Sequence, residues 1–343
     1  MIKKECFTAE WIEQVSSELH YNDKNLIEKV IRALSLLEML VKAGCPLVFK
    51  GGTALMLILG KSAHRLSIDI DLICPPGTNI EDYLKSFADF GFINLELVER
   101  KQRDDADIPK SHSKFFYQIA YRNDTDAQSY ILLDVLYEDI HYFRTQQIAI
   151  NCPFIRLEGK PLMVTVPSAE DILGDKLTAF APNTTGIPYY RNGRSCSMEI
   201  AKQLYDVGRL FENVSDLQIT KEAFRKIAVV ELSYRSFGTD IGQVFNDIRQ
   251  TALCISTRGK AGEGDFDLIQ DGIIRVKSFM YKQRYLIDHA IIDAARAAYL
   301  ATLIEKGINE IESYSNNPAD IKDMVIRPSL PNKLNKLRSN LPE

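Results

Sequence analysis

Apolar positions recur at helical spacing through residues 25–44, where Leu26, Ile27, Val30, Ile31, Leu34, Leu37, Leu40 and Val41 form one stripe that Gly44 ends. The period then shortens. PLVFK reads as a brief strand running into Gly51-Gly52, TALMLILG as the buried helix after it, and RLSIDIDLI as a strand. EDYLKSFADFGF predicts a helix, while INLELVER, FFYQIAYR and ILLDVLYED predict strands. From about residue 168 the texture changes. SAEDILGDKLTAF, SMEIAKQLYDVGRLFE, KEAFRKIAVVELSYR, DIGQVFNDIRQTALCI and LIDHAIIDAARAAYLATLI all carry helical periodicity, with almost no strand pattern among them. Two polar, glycine-bearing loops, 182–195 and 257–265, interrupt this half. The expected architecture is α+β: a mixed-sheet domain over residues 1–165 and a helical domain over 166–343, dividing near Pro161–Pro167.

The 343-residue length supports two domains, and the 45% hydrophobic and 26% charged content is that of a globular protein. A net charge of −4 gives no global pull toward nucleic acid, so such a partner requires a local basic patch. The segment MIKKECFTAEWIEQ lacks the apolar core of a signal peptide, and no apolar run reaches the length of a membrane span. Cys6, Cys45, Cys74, Cys152, Cys196 and Cys254 lie far apart with no CxxC pair, which fits reduced thiols in a cytoplasmic protein.

DxD pairs occur at 69/71, 105/107, 124/126 and 265/267, where chance alone gives on the order of one. Context separates them. Asp105/Asp107 and Asp124/Asp126 sit in polar loops, and Asp265 fits a helix cap. Asp69 and Asp71 instead fall in an apolar strand, on one face and roughly 7 Å apart. Bare carboxylates there repel one another and are expensive to desolvate, so a positive partner is required. A divalent metal pair bridging them to a triphosphate meets that need; so would an ion-pair network with Arg65 or Lys50. Asp134, set in ILLDVLY, supplies a third carboxylate if its strand lies alongside.

Gly51 and Gly52 stand between a strand and a helix, where backbone N–H groups and the helix N-terminus suit a phosphate, with Thr53 adding a hydroxyl. Gly60-Lys61-Ser62 resembles the end of a P-loop, but position 55 is leucine where that motif needs glycine, and GKS closes a helix instead of opening one. His20, His64, His112, His141 and His289 show no metal-ligand spacing. Tyr189, Tyr190, Arg191 and Arg194 mix aromatics with guanidiniums on the 182–195 loop, a combination that suits RNA or a loop folded onto its own domain. The tail is locally basic through Arg327, Lys333, Lys336 and Arg338.

KGGTAL, then R-x-S-x-D-I-D-L (Arg65, Ser67, Asp69, Asp71), LDV (Asp134), GDKLTAF (Lys176) and KQLYD (Lys202, Asp206) together resemble the AbiEii/AbiGii toxin family of polymerase-β-type nucleotidyltransferases. The ordered series covers about residues 40–210. It departs where the long PNTTGIPYYRNGRS loop follows Lys176 and where the final pair is Tyr205-Asp206; Thr184 or Thr185 stands in for the family's threonine. The resemblance implies transfer of an NMP from an NTP to an acceptor hydroxyl, with Asp69, Asp71 and Asp134 holding two Mg²⁺ ions (or Mn²⁺). It implies that Gly51, Gly52, Thr53, Arg65, Lys176 and Lys202 serve the nucleotide and that Asp206 touches base, sugar or acceptor. It implies also a cognate antitoxin and an acceptor such as the 3′ end of tRNA. Protein nucleotidylation is the nearest alternative. A nucleotide-binding regulatory module and a helical interaction factor are others.

Overall fold

A computed structural model describes residues 1–98, 110–122, 127–214, 216–235, 238, 240–312, 314–326, 331–338 and 340–342. The Asp105/Asp107 and Asp124/Asp126 pairs and Arg327 lie outside the described residues, as does the side chain of Lys333. The chain forms two compact units, one of residues 1–172 and 278–284, the other of residues 173–277 and 285–343.

In the first unit, helices α1 (Ala9–Glu18) and α2 (Lys24–Lys42) precede strand β1 (Val48–Lys50), helix α3 (Gly51–Leu59) and strand β2 (Ile70–Cys74). Strands β3 (Asn94–Val98), β4 (Lys110–Gln118) and β5 (Gln128–Tyr137) complete a mixed five-stranded sheet of order β1-β2-β5-β4-β3. Only the β2–β5 pairing is parallel. Strands β6 (Thr145–Ala149) and β7 (Met163–Pro167) pair separately as an antiparallel ribbon that the hydropathy pattern does not predict. The helix expected over EDYLKSFADFGF is two 3₁₀ turns, Ile80–Tyr83 and Phe87–Phe90, the second ended by Gly91 at φ 81°.

Helix α2 packs on β2 and β5, so alternation along those strands decides which residues face the core. Ile70, Leu72, Leu133 and Val135 are all 2% exposed or less, which leaves the intervening residues for the other face. The helix is buried beyond its apolar stripe: Glu28, Arg32, Ser35 and Glu38 lie inside. Each finds a partner. Arg32 donates to the carbonyl of Gly91 (3.1 Å) and to Glu28 (3.3 Å), Ser35 donates to the carbonyl of Phe90, Glu28 accepts from the Ala120 amide, and Glu38 from the Ile2 amide. The segment 278–284 closes the first unit: Leu66 N–H donates to Phe279 O, Tyr281 N–H donates to His64 O, and the Tyr281 ring packs against Phe154. The stretch before β2 is thereby fixed from a distant part of the chain.

Helix α4 (Ala169–Ala179) carries the chain into the second unit. There the hairpin β8 (Tyr190–Arg191) and β9 (Arg194–Ser195) is followed by α5 (Ser197–Phe211), α6 (Leu217–Tyr234), α7 (Ile241–Ser256), α8 (Phe266–Val276) and α9 (Ile287–Lys306). Asp265 caps α8, its carboxylate accepting from the Leu268 amide, as its sequence context suggests. All six cysteines are free. Among the described residues no helix is long and apolar enough to cross a membrane.

Helices α5 and α9 pack closely because Gly208 leaves room for Asp293; a Cβ at 208 would stand 1.9 Å from the Asp293 carboxylate. The fully buried Asp293 accepts from Tyr285 (3.0 Å) and faces Arg209 and Arg296 at 3.5 and 3.4 Å. Burial pushes its carboxyl up to about 7, against the pull of both guanidiniums. A carboxyl raised on folding contributes stability below its unfolded value, about 4, and that stability is lost as pH rises through about 7. Asp293→Asn should therefore gain melting temperature relative to the wild type as pH goes from 5 to 8. Melting curves at several pH values check this, and parallel profiles would mean that Asp293 stays ionised throughout.

Candidate active site

The strand register builds a row of charge across the sheet of the first unit. Lys50 is the Cα partner of Asp71, Asp71 of Asp134, and Asp134 of His112. Residues in register on neighbouring strands share a face, so Asp71 and Asp134 stand side by side about 4.8 Å apart in the backbone. Asp69 does not lie within the strand as the alternation suggests. The strand begins at Ile70, and Asp69 closes the irregular stretch before it. Both Asp69 and Asp71 are half-buried, and Asp134 is 39% exposed on its side chain. This is less desolvation than a core strand would impose.

Helix α3 begins directly against these carboxylates. Gly51 has φ 78°, and a Cβ there would lie 2.0 Å from Asp71 Oδ2, so both backbone and space demand glycine. A Cβ at Gly52 would meet Ser67 Oγ at 2.6 Å and Arg65 Nη2 at 2.9 Å. Arg65 is buried, bridges to Met280 and donates to the Leu66 carbonyl. Its guanidinium thus sits beside the N-terminus of α3. Thr53 is fully buried, and its hydroxyl donates to the Asp69 carbonyl at 2.7 Å. The one proton of that hydroxyl is thus spent on the Asp69 carbonyl.

Two residues in this region escape sequence reasoning. His112 bonds the Asp134 carboxylate through Nδ1, while its buried Nε2 has no partner. An Nδ1–H donor with a bare Nε2 avoids burying an unsatisfied N–H, which favours that tautomer. The hydropathy reading starts this strand at Phe115; it begins at Lys110 and so includes His112. Lys29 on α2 is the other. Burial pushes its ammonium down, while the fields of Asp69 and Asp23 pull it back up. Its position within an amphipathic helix gives no signal of that role. Among the described residues, no group of three or more His, Cys, Asp or Glu is closed tightly enough to hold a metal ion as it stands. The donor set is nevertheless all-oxygen and hard, the type that Mg²⁺ and Mn²⁺ take, and Gly51 leaves the Asp71 carboxylate space.

In the second unit Lys176 and Asp206 form a buried ion pair of 3.1 Å, with Lys176 also donating to Gln203 at 2.9 Å. Lys202 is half-buried one turn before Asp206 on α5. The hydroxyls of Thr184 and Thr185 donate to Asp247 and to the Thr178 carbonyl, so both are structural. In the tail, Arg338 donates to the Met324 carbonyl.

A mixed sheet presenting neighbouring carboxylates under a glycine-opened helix has the make-up of a nucleotidyltransferase. Residues 34–311 match the family described as nucleotidyl transferase AbiEii toxin, type IV TA system, and the chain belongs to that family. Membership makes it a nucleotidyltransferase toxin and implies an NTP substrate and a cognate antitoxin. Among solved structures it is similar to JHP933 from Helicobacter pylori, at 15% identity over 90% of this chain and 95% of that one, with a TM-score of 0.41. It is similar also to MenT4, a nucleotidyltransferase toxin from Mycobacterium tuberculosis H37Rv, at 12% identity over 85% of this chain and 89% of that one, with a TM-score of 0.44. No curated protein matches the chain.

Gly51 offers a controlled test. Gly44 has nearly the same φ, 75°, with nothing within 4 Å of where a Cβ would stand. Gly44→Ala and Gly51→Ala should each cost about 1 kcal/mol of backbone strain. Only Gly51→Ala should also displace Asp71. Paired melting and nucleotidyl-transfer assays should show both variants destabilised and Gly51→Ala alone inactive.

Proposed function

We propose that the protein transfers an NMP from an NTP to a hydroxyl at an RNA 3′ end, such as that of tRNA, using the carboxylate row. The observation that carries this reading is the register of Asp71 with Asp134 on adjacent parallel strands. Asp69, Asp71 and Asp134 would hold Mg²⁺, or Mn²⁺. Bound there, such ions supply neutralisation of the crowded carboxylates and polarisation of the α-phosphoryl group.

The protein's own groups do the rest. The Gly51 and Gly52 amides and the positive end of α3 bind the terminal phosphates, and Arg65 beside Gly52 offsets their charge. Thr53 keeps Asp69 in place through its carbonyl. Asp134, oriented by His112, takes the proton of the acceptor hydroxyl. The hydroxyl oxygen then bonds the α-phosphorus as its bond to the bridging oxygen breaks, and pyrophosphate leaves. Lys176, Lys202 and Asp206 take the nucleotide-facing roles that the family motifs assign to them. The Lys176–Asp206 pair holds its ammonium in a fixed position. A Ser, Thr or Tyr of a protein could accept the nucleotide by the same step. A cytoplasmic location, where NTPs and tRNA are found, belongs to this reading.

Incubation with each α-³²P-NTP, total RNA and Mg²⁺ or Mn²⁺, followed by separation of RNA from protein, tests it. Label should enter RNA and vanish with EDTA. Asp69→Asn and Asp71→Asn should each lower transfer by about a hundredfold or more at unchanged melting temperature. Label on protein alone would replace the RNA acceptor. Equal labelling by wild type and both variants would remove the carboxylates from the mechanism.

A further inference from the structure

The β8–β9 hairpin of the second unit places two guanidiniums directly opposite each other. Arg191 and Arg194 are Cα partners, joined through Asn192 and Gly193 at φ 51° and 72°. Two successive positive φ values define the tight turn that Asn-Gly favours, and it fixes the register. Both arginines are exposed, and neither has an ion-pair partner among the described residues. Like charges directly opposite on a ribbon are destabilising. Arg235 stands near as a third guanidinium, held by the Thr184 carbonyl at 2.8 Å. Its charged form is disfavoured mainly by burial, favoured by Glu231 at 3.9 Å and disfavoured further by Arg191. Tyr190, adjacent in the hairpin, is 57% exposed.

The base beneath is rigid. Asp247 accepts from the Asn183 amide (2.9 Å), the Asn183 side chain (2.7 Å) and Thr184 (2.8 Å). Gly186 is packed so tightly that a Cβ would lie 2.4 Å from the Ala181 nitrogen. Beyond the turn, Ser195 donates to Ser197, which donates to Asp271. A cavity of about 530 Å³ opens beside the tip, lined by Arg191, Asn192, Arg194, Ser195, Cys196 and Glu199. A chain with more acidic than basic residues thus holds Arg191 and Arg194 opposite each other, without an ion-pair partner among the described residues, on a hydrogen-bonded support. A polyanion seated on the hairpin would relieve that repulsion.

We propose that this hairpin grips the backbone of a single-stranded RNA segment, with Arg191 and Arg194 forking onto phosphates and Tyr190 stacking on a base. Identification of this RNA as the acceptor rests on the nucleotidyl-transfer reading; the binding itself does not. The test is fluorescence anisotropy of a labelled single-stranded RNA oligonucleotide with the full-length protein, without NTP, across a salt series. Arg191→Ala/Arg194→Ala should weaken binding tenfold or more and lower the slope of log K against log salt by about 1.4, as expected for two lost single-strand phosphate contacts. Tyr190→Ala should weaken binding about tenfold with the slope unchanged. Replacing both arginines by lysine should keep most of the slope while losing affinity, because the forked contact is gone.

The proposal is overturned if the double alanine variant matches the wild type in affinity and slope. It is overturned equally if the wild type binds an acidic polypeptide but not RNA. Loss of RNA binding in the double variant, in a protein that transfers no nucleotide under any condition, upholds the hairpin while defeating the catalytic reading. Transfer to RNA that the double variant leaves intact, with unchanged binding, does the reverse.

Discussion

Two carboxylates held side by side on parallel strands set the terms for everything around them. The β2–β5 register places Asp71 beside Asp134, and no shift of a single residue preserves this, since it would turn one carboxylate into the core. Their mutual repulsion explains the neighbours. Lys50 flanks the pair on one side and His112 on the other, while Gly51 at the start of α3 leaves room for the Asp71 carboxylate. The field of Asp69 acts on Lys29 from the same unit. The half-exposed setting matters as well, because solvent lowers the desolvation that a buried pair would meet.

The carboxylates were legible in the sequence for the reason that makes them costly. Aspartate among isoleucines and leucines contradicts its surroundings, although Asp69 lies just before β2 and not within the strand face that i and i+2 suggested. The mixed α/β first half and helical second half were legible because period 2 and period 3.6 differ over long windows. What stayed hidden depends on contacts between distant residues. His112 acquires meaning only through its partner strand. The segment 278–284 has no local pattern that ties it to His64 and Leu66. The 3₁₀ turns at 80–90 share the composition of a helix, but Gly91 at positive φ ends them early. Glu28 and Arg32 of α2 lie off the apolar stripe, and that they satisfy backbone groups inside the unit has no local signal.

Thr53 illustrates how a motif can be found and its role still change. A threonine after two glycines at a helix start is suited to a phosphate by composition. Its hydroxyl carries one proton, however, and the Asp69 carbonyl accepts it in a fully buried setting. In the proposed reading, phosphate donation would fall to the Gly51 and Gly52 amides. Thr53 thereby holds Asp69, which lies just outside β2.

The second unit treats its charges in two opposite ways, and the contrast separates structure from interaction. Asp293, Asp247 and the Lys176–Asp206 pair are buried with partners supplied, as desolvation requires. Removing one member of such a set leaves an uncompensated group, so these residues are constrained by the fold whatever else they do. Arg191 and Arg194 obey no such constraint. They are exposed, opposed and without an ion-pair partner among the described residues, although Glu199 lines the same cavity, on a turn whose geometry costs backbone freedom to maintain. Stability does not call for two guanidiniums at those positions, since a polar pair would hold the same hairpin without repulsion. Negative charge from another molecule between them is what the proposed RNA contact would supply.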